Sequence, residues 1–238
     1  MIKKSFLQIL VVLFVTMFFG NVFANAILKK DNDNLLENEK FLVFDVHTVT
    51  PFPKKFRVIP NLNISGSAQF LPFHIKKITN EINNKNINIV DLRQESHGFI
   101  NEMAVSFYST EKALNNGLGV KEVIKQEDSD LKEIKLNSEV NIHNIHGKII
   151  KTLISQNVIN EFNVAKNNGL NYIRLPVRDG HIPSPSIVDE FVKIVKSKSK
   201  KDHFHFHCKH GDGRTTTFMS MYEMMINEEG KITVKKSL

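Results

Sequence analysis

Apolar positions along this chain fall into three rhythms, and each predicts a different kind of segment. The first is continuous: FLQILVVLFVTMFFG follows Lys3 and Lys4 and runs into NVFANA, where Ala24 and Ala26 are small enough for signal-peptidase cleavage. Residues 1–26 therefore read as a signal peptide, and the stretch 27–40, made up from Lys29 onward of KKDNDNLLENEK, as a polar leader. An uncleaved anchor is the alternative, but an apolar run of roughly fifteen residues falls short of the about twenty needed to cross a bilayer. The expectation is an exported chain with no stable membrane span after cleavage and one domain from Phe41 to Leu238.

The second rhythm is one of short apolar and β-branched runs, with a strict period of two only in HFHFHC. FLVFDVHTV (41–49), NINIVDLR (86–93), YIRLPV (172–177) and HFHFHC (203–208) read as strands. Between the first two, PFPKKFRVIPNLNISGSAQF carries three prolines and a Gly-Ser turn, which predicts extended and looped chain.

The third rhythm is helical. From Ser155 as N-cap, Val158, Ile159, Phe162 and Ala165 lead to Gly169, a residue suited to a left-handed helix end. Ser184 and Pro185 open a second helix with Ile187, Val188, Phe191, Ile194 and Val195 on one face and lysines at its C-terminal end. RTTTFMSMYEMMI (214–226) is a third, and residues 110–147 predict one helix with irregular chain. Helix and strand alternate through the back half, which predicts an α/β fold: a mainly parallel central sheet flanked by helices.

Composition changes this picture little. At 41% apolar residues, 238 residues suffice for one packed core. The formal charge of +7 falls by two when Lys3 and Lys4 leave with the signal, and the remaining lysines are scattered. A modest, dispersed excess is compatible with an anionic substrate or a membrane surface and alone names neither; no nucleic-acid partner is expected. The single cysteine, Cys208, excludes an internal disulfide in an exported chain, so it is either inert filling or a working atom.

Its neighbours favour the second. Cys208, Lys209, His210, Gly211, Asp212, Gly213 and Arg214 lie between a predicted strand and a predicted helix. A tight turn through two glycines aims backbone N–H groups into one concavity at the positive end of the helix, which is an anion site. A sulfur at the start of that turn feels the same field and is expected to be available as thiolate. Arg214, six residues on, can hold two phosphoryl oxygens with its planar fork, and Thr215 can donate its hydroxyl to the sulfur.

This C-x5-R arrangement, preceded by His207, resembles the active-site loop of the cysteine-dependent protein tyrosine phosphatase superfamily. HFHC, GRTTTFM and MYEMM are similar to one branch, the cysteine phytases, which are tyrosine-phosphatase-like inositol polyphosphate phosphatases of bacteria. So are IVDLRQESHGF (89–99), KKFRVIPNLNISGSAQF (54–70) and RLPVRDGHIPSPSIVDEF (174–191), in the family's order. The resemblance implies a tyrosine-phosphatase-like fold with extra N-terminal chain and a shortened C-terminal helical part. It implies hydrolysis of phosphomonoesters, inositol phosphates or phosphotyrosine, through a cysteinyl-phosphate and without a cofactor or metal. By the same match Asp179 is the proton donor to the leaving oxygen, a role its Asp-Gly turn alone would not reveal. Arg57, Asp91, Arg93 and His97 match positions at the substrate, with Glu95 beside them; Asp91 and Arg93 read equally as a structural ion pair. His205 is expected to pack within its strand, and His207 to hydrogen-bond around the loop and tune the sulfur.

Two other readings compete. His203, His205 and His207 share one face of a strand and could hold a metal, but this leaves the glycines, Arg214 and the threonines without a purpose. A catalytically weak phosphate- or inositol-phosphate-binding module is the other, motivated by Asp212 within the loop and by the short C-terminal part, where NEEGKITVKKSL does not read as further helices; Gly180 and Ile182, where the acid loop carries His and Trp, are a further departure from the branch.

Overall fold

A computed structural model of the chain describes residues 40–109 and 114–236. The expected signal peptide and, apart from Lys40, the polar leader lie outside the described residues.

In chain order the elements are β1 (Phe41–Phe44), β2 (Arg57–Ile59), β3 (Ile64–Ser67), α1 (His74–Ile82), β4 (Ile87–Arg93), β5 (His97–Ile100), β6 (Met103–Tyr108) and α2 (Val120–Lys132). They continue with β7 (Glu139–His143), β8 (Ile149–Ile154), β9 (Val158–Ile159), α3 (Glu161–Asn167), β10 (Asn171–Val177), α4 (Pro185–Ser197), β11 (His203–His207) and α5 (Gly213–Lys236).

The predicted parallel sheet is present. Its order is β10-β4-β11-β3-β2, with the first four strands parallel and β2 antiparallel at the edge. Every residue of β4 and β11 is buried, as expected of strands covered on both faces. The alternation of HFHFH acquires its reason here. Phe204 and Phe206 point into an apolar core with Phe191 of α4 and Phe218 and Tyr222 of α5, where Phe191 meets Phe206 and Phe218 edge-on at 6.0 and 5.0 Å. The histidines point to the other face, where two of them are hydrogen-bonded: Ser65 Oγ lies 2.8 Å from both His203 Nε2 and His205 Nδ1, and Ser67 Oγ 3.1 Å from His205 Nε2. His205 is thus packed within the sheet.

A second sheet, ordered β8-β7-β1-β6-β5-β9, is antiparallel except where β1 pairs with β7. The pattern did not predict it. Residues 110–147 hold α2 but also β7, and the helix expected from Ser155 begins six residues later. Val158 and Ile159 pair with β5 instead, and α3 starts at Glu161 with the Asn160 side chain accepting from Asn163 N at 2.9 Å. Gly169 does take the left-handed conformation, and α4 opens at Pro185 as read. NEEGKITVKK, which did not read as helix, continues α5 to Lys236.

Candidate active site

The chain leaves β11 at His207 and turns into α5 at Gly213. Gly211 makes that turn possible. Its φ is +74°, and a Cβ there would lie 2.5 Å from Ala68 N and 2.7 Å from Ser67 C, so the loop presses directly on the end of β3. In this position Gly211 N donates to Cys208 Sγ at 3.3 Å, and the Thr215 hydroxyl donates to the same sulfur at 3.2 Å. Cys208 is 3% exposed. The sulfur is a buried acceptor at the N-terminus of a long helix.

Arg214 closes the loop. Its guanidinium donates to Glu95 Oε2 at 2.9 Å and to Val177 O at 3.0 Å, and lies 3.2 Å from Asp179 Oδ1. Burial alone would weaken this cation, but Glu95 and then the Cys208 sulfur beside it hold it above the usual guanidinium range. Burial likewise works against the Glu95 carboxylate, and Arg214 and Arg93 overcome it, leaving the group well below the ordinary carboxyl range. Asp179 sits on the loop between β10 and α4, about one-third exposed, with its backbone carbonyl accepting from His181 Nδ1 at 3.0 Å. The predicted nucleophile, cation and acid are brought together.

Lys209 reaches Asp45, the residue after β1, whose side chain is fully buried and whose Oδ1 lies 3.1 Å from the ammonium. Asp45 also accepts from Arg93 at 2.8 Å and from Ser106 at 2.7 Å. Burial would raise its pKa, yet Arg93 and Lys209 hold it far below the carboxylate range. Arg57 spans the loop from outside, donating to Gly211 O at 3.1 Å and Thr216 Oγ1 at 3.0 Å. Above the loop lies a cleft of about 580 Å³, lined among others by Lys54, Lys55, Glu95, Asp179, Lys209 and His210. Asp212 is at its rim, paired with Lys55.

The DLRQESHG segment divides. Glu95 lines the cleft, whereas Asp91, Arg93 and His97 are fully buried beneath it and do not line it. Expected substrate contacts at these three positions are corrected to an internal ion network. Asp91 and Arg93 do not pair through their side chains either: Asp91 accepts from Arg174 and Tyr172, each at 2.6 Å, and Arg93 donates to Glu95 at 2.8 Å and to Gln69 at 2.6 Å. His97 Nε2 lies 3.1 Å from Asp91 and its Nδ1 3.2 Å from Glu127. Burial and Arg93 oppose its charge, but Asp91 and Glu127 hold its pKa well above the usual value.

His207 also differs from expectation. Its Nε2 lies 2.6 Å from Glu161 Oε1, at an angle outside hydrogen-bond geometry, so it faces α3 rather than the loop. Asp91, Glu161 and His207 bring potential ligand atoms within 4.8 Å of one another, but Arg174 and His97 already occupy Asp91. The three histidines of the alternating run do not meet at one point: His203 and His205 share Ser65 of β3, and His207 faces Glu161.

Asp45, Glu127, Glu161 and Arg174 went unread in the sequence. Glu161 stands in the first turn of a polar helix and Asp45 at a strand end, with no local pattern to separate either from a solvated charge.

A family model of PTP-like phytases, described by the words "Inositol hexakisphosphate", matches residues 90–226. The chain belongs to the PTP-like phytase family. Among solved structures it is similar to the tandemly repeated PTP-like phytase of Mitsuokella multacida, at 30% identity and a TM-score of 0.72 over 79% of this chain and 37% of that one. It is also similar to the PTP-like phytase of Bdellovibrio bacteriovorus, at 33% identity and a TM-score of 0.69 over 79% of this chain and 69% of that one. Among curated proteins it matches effector protein hopD2 of Pseudomonas syringae pv. tomato, 28% identical over 161 residues. The phytase-like chain spans 34% of that effector's length, and 64% of its own residues take part. The mixed α/β architecture is that of the PTP-like phytase structures.

Proposed function

We propose that this chain is a phosphomonoester hydrolase that works through a cysteinyl-phosphate, with inositol phosphates as substrates. The observation that carries the reading is the set of groups around one sulfur: Gly211 N and the Thr215 hydroxyl donate to Cys208 Sγ, while Arg214 is held beside it by Glu95 and faces Asp179. The substrate class is supported by the family and by a similar structure, 29% identical with a TM-score of 0.72, of a Mitsuokella multacida myo-inositol phosphatase in complex with myo-inositol-(1,3,4,5)-tetrakisphosphate.

In the first step the sulfur attacks phosphorus and the bond from phosphorus to the ester oxygen breaks. Asp179, protonated, gives its proton to that oxygen. Loop amides and Arg214 hold the three equatorial oxygens, where charge redistributes in the transition state. In the second step Asp179, now a carboxylate, takes a proton from water as the water oxygen attacks phosphorus. The P–S bond breaks, phosphate leaves and the thiolate is restored, with the Thr215 hydroxyl positioned to stabilise it.

Three further parts of the reading go with it: residues 1–26 export the chain, residues 27–40 form a leader, and the catalytic domain runs from Phe41 to Leu238. Phosphate release from inositol hexakisphosphate and from a phosphotyrosine peptide tests the whole. Cys208→Ser should abolish turnover of both while keeping binding, and vanadate should inhibit. Asp179→Asn should lose orders of magnitude, least with the best leaving groups. Turnover that survives in the serine variant rejects the scheme.

A further inference from the structure

Lys54 and Lys55 occupy the turn before β2 and both line the cleft. Lys55 has φ +55°, a left-handed conformation uncommon for a residue with a side chain. The turn is fastened to the phosphate loop and its support. Arg57 donates to Lys55 O at 3.0 Å as well as to Gly211 O and Thr216 Oγ1, and Ala68 N donates to Lys54 O at 2.9 Å. This backbone delivers the Lys55 ammonium to the carboxylate of Asp212.

The pair lies in the open, with side chains 50% and 60% exposed. An ion pair so exposed contributes little to stability, so its consequence is sought in the charge it presents to a ligand. A rim lysine is the natural partner of substrate phosphates other than the one being cleaved. A carboxylate at the loop tip has the opposite effect, because it occupies that lysine and adds negative charge facing a polyanion. Lys209 on the cleft wall is committed in the same manner to Asp45.

We propose that Asp212 is a specificity-determining residue: it withholds Lys55 from the non-reacting phosphates of the substrate, and the cleft thereby favours sparsely phosphorylated esters, lower inositol phosphates among them, over the fully phosphorylated inositol. The inference rests on the phosphatase reading above.

The test compares kcat/KM for inositol hexakisphosphate with that for an aryl monophosphate, using the full chain, Asp212→Asn, Lys55→Met and the double variant. Asp212→Asn should raise the ratio of polyphosphate to monophosphate efficiency by about three- to ten-fold, through KM for the polyphosphate, by freeing Lys55. Lys55→Met should lower the ratio, since it removes the cation and leaves the carboxylate bare. The double variant should fall between, and all differences should shrink at about 1 M salt. A pair that merely braces the loop would make both single variants move the ratio the same way; that outcome, or no change in either, overturns the inference. Failure of the phosphatase reading looks different, with neither ester hydrolysed by the unaltered chain. Calorimetric affinities for inositol hexakisphosphate in a Cys208→Ser background then carry the same comparison, and the same order of variants is required.

Discussion

Arg214 and Glu95 form a two-point ion pair, with guanidinium donors 2.9 and 3.4 Å from the two carboxylate oxygens. Glu95 fixes the plane of the fork that must receive the phosphoryl group. Glu95→Gln keeps the shape and removes the charge, so kcat/KM should fall by about 10- to 100-fold, the loss expected for one charge-assisted hydrogen bond. The linkage sign follows from the depressed pKa of Glu95. Its contribution to stability is complete above the unfolded-state value of about 4.3 and is lost as pH falls through the lower folded-state value. The Tm gap between the unaltered chain and Glu95→Gln should therefore be widest above pH 5 and narrow on acidification; a gap that widens in acid would refute this.

Two glycines of the loop should behave oppositely. Gly211→Ala forces a Cβ against Ala68 and Ser67 backbone and requires φ +74° of an alanine, so the amide that donates to the sulfur must move. Activity should fall by at least about 100-fold with a lower Tm. Around Gly213 nothing lies within 4 Å of a built Cβ, and the residue opens α5. Gly213→Ala should fold as before and retain most activity, as initial rates with an aryl phosphate will report. Equal loss in both variants would mean that the loop is held by something other than its contact with β3.

The reach of the sequence follows the same division between local and distant. Cys208, Gly211, Arg214 and Thr215 were legible because one strand-turn-helix carries them within eight residues, and the alternation of β11 was legible because both its faces are buried. The partners that aim these groups were not. Asp45 meets Lys209 and Glu95 meets Arg214 across a fold that pattern alone does not close. Val158 and Ile159 fit the spacing of a helix, yet their pairing with β5 overrides it. Most of β8 is exposed and gives no clean alternation, so the second sheet stayed hidden. Asp91, Arg93 and His97 were recognised as a cluster, but only the packing places them under the cleft instead of in it.

Thr215 touches both steps of the proposed reaction unequally. Its hydroxyl donates to Cys208 Sγ at 3.2 Å and lies 3.4 Å from Ser67 O. Thr215→Val preserves volume and removes the donor, which matters most when sulfur departs as thiolate. Hydrolysis of the cysteinyl-phosphate should slow by about 10-fold or more while its formation slows less. Stopped-flow measurements with an aryl phosphate should show a burst of phenolate followed by a slower steady rate than in the unaltered chain. A variant with no burst and an equally reduced first phase would assign the hydroxyl to ground-state structure alone.

The stability of the fold should peak near neutral pH because two sets of buried histidines titrate in opposite senses. Burial lowers the pKa of His203 to about 4 and that of His205 well below its usual value, where Ser65 hydrogen-bonds both rings. For such groups the folded state binds fewer protons than the unfolded one. Their stabilisation is complete above about pH 6.5 and is lost as pH falls toward the folded values. His97 is the reverse: with a raised pKa its contribution is complete below about pH 6.5 and declines as pH rises through the folded value. The buried carboxylates Asp45, Asp91, Glu95 and Glu161 have depressed values, with Glu161 at about 2, so the limb between pH 6.5 and 4.5 belongs chiefly to the histidines. Thermal melts across pH 4.5 to 8.5 should trace a dome, each ~1 kcal/mol moving Tm by about 2–4 °C for a chain of this size. His203→Gln keeps a hydrogen-bonding group for Ser65 and cannot titrate, so it should flatten the acid limb while leaving the alkaline one in place. An acid limb of unchanged slope in that variant would remove His203 from the account.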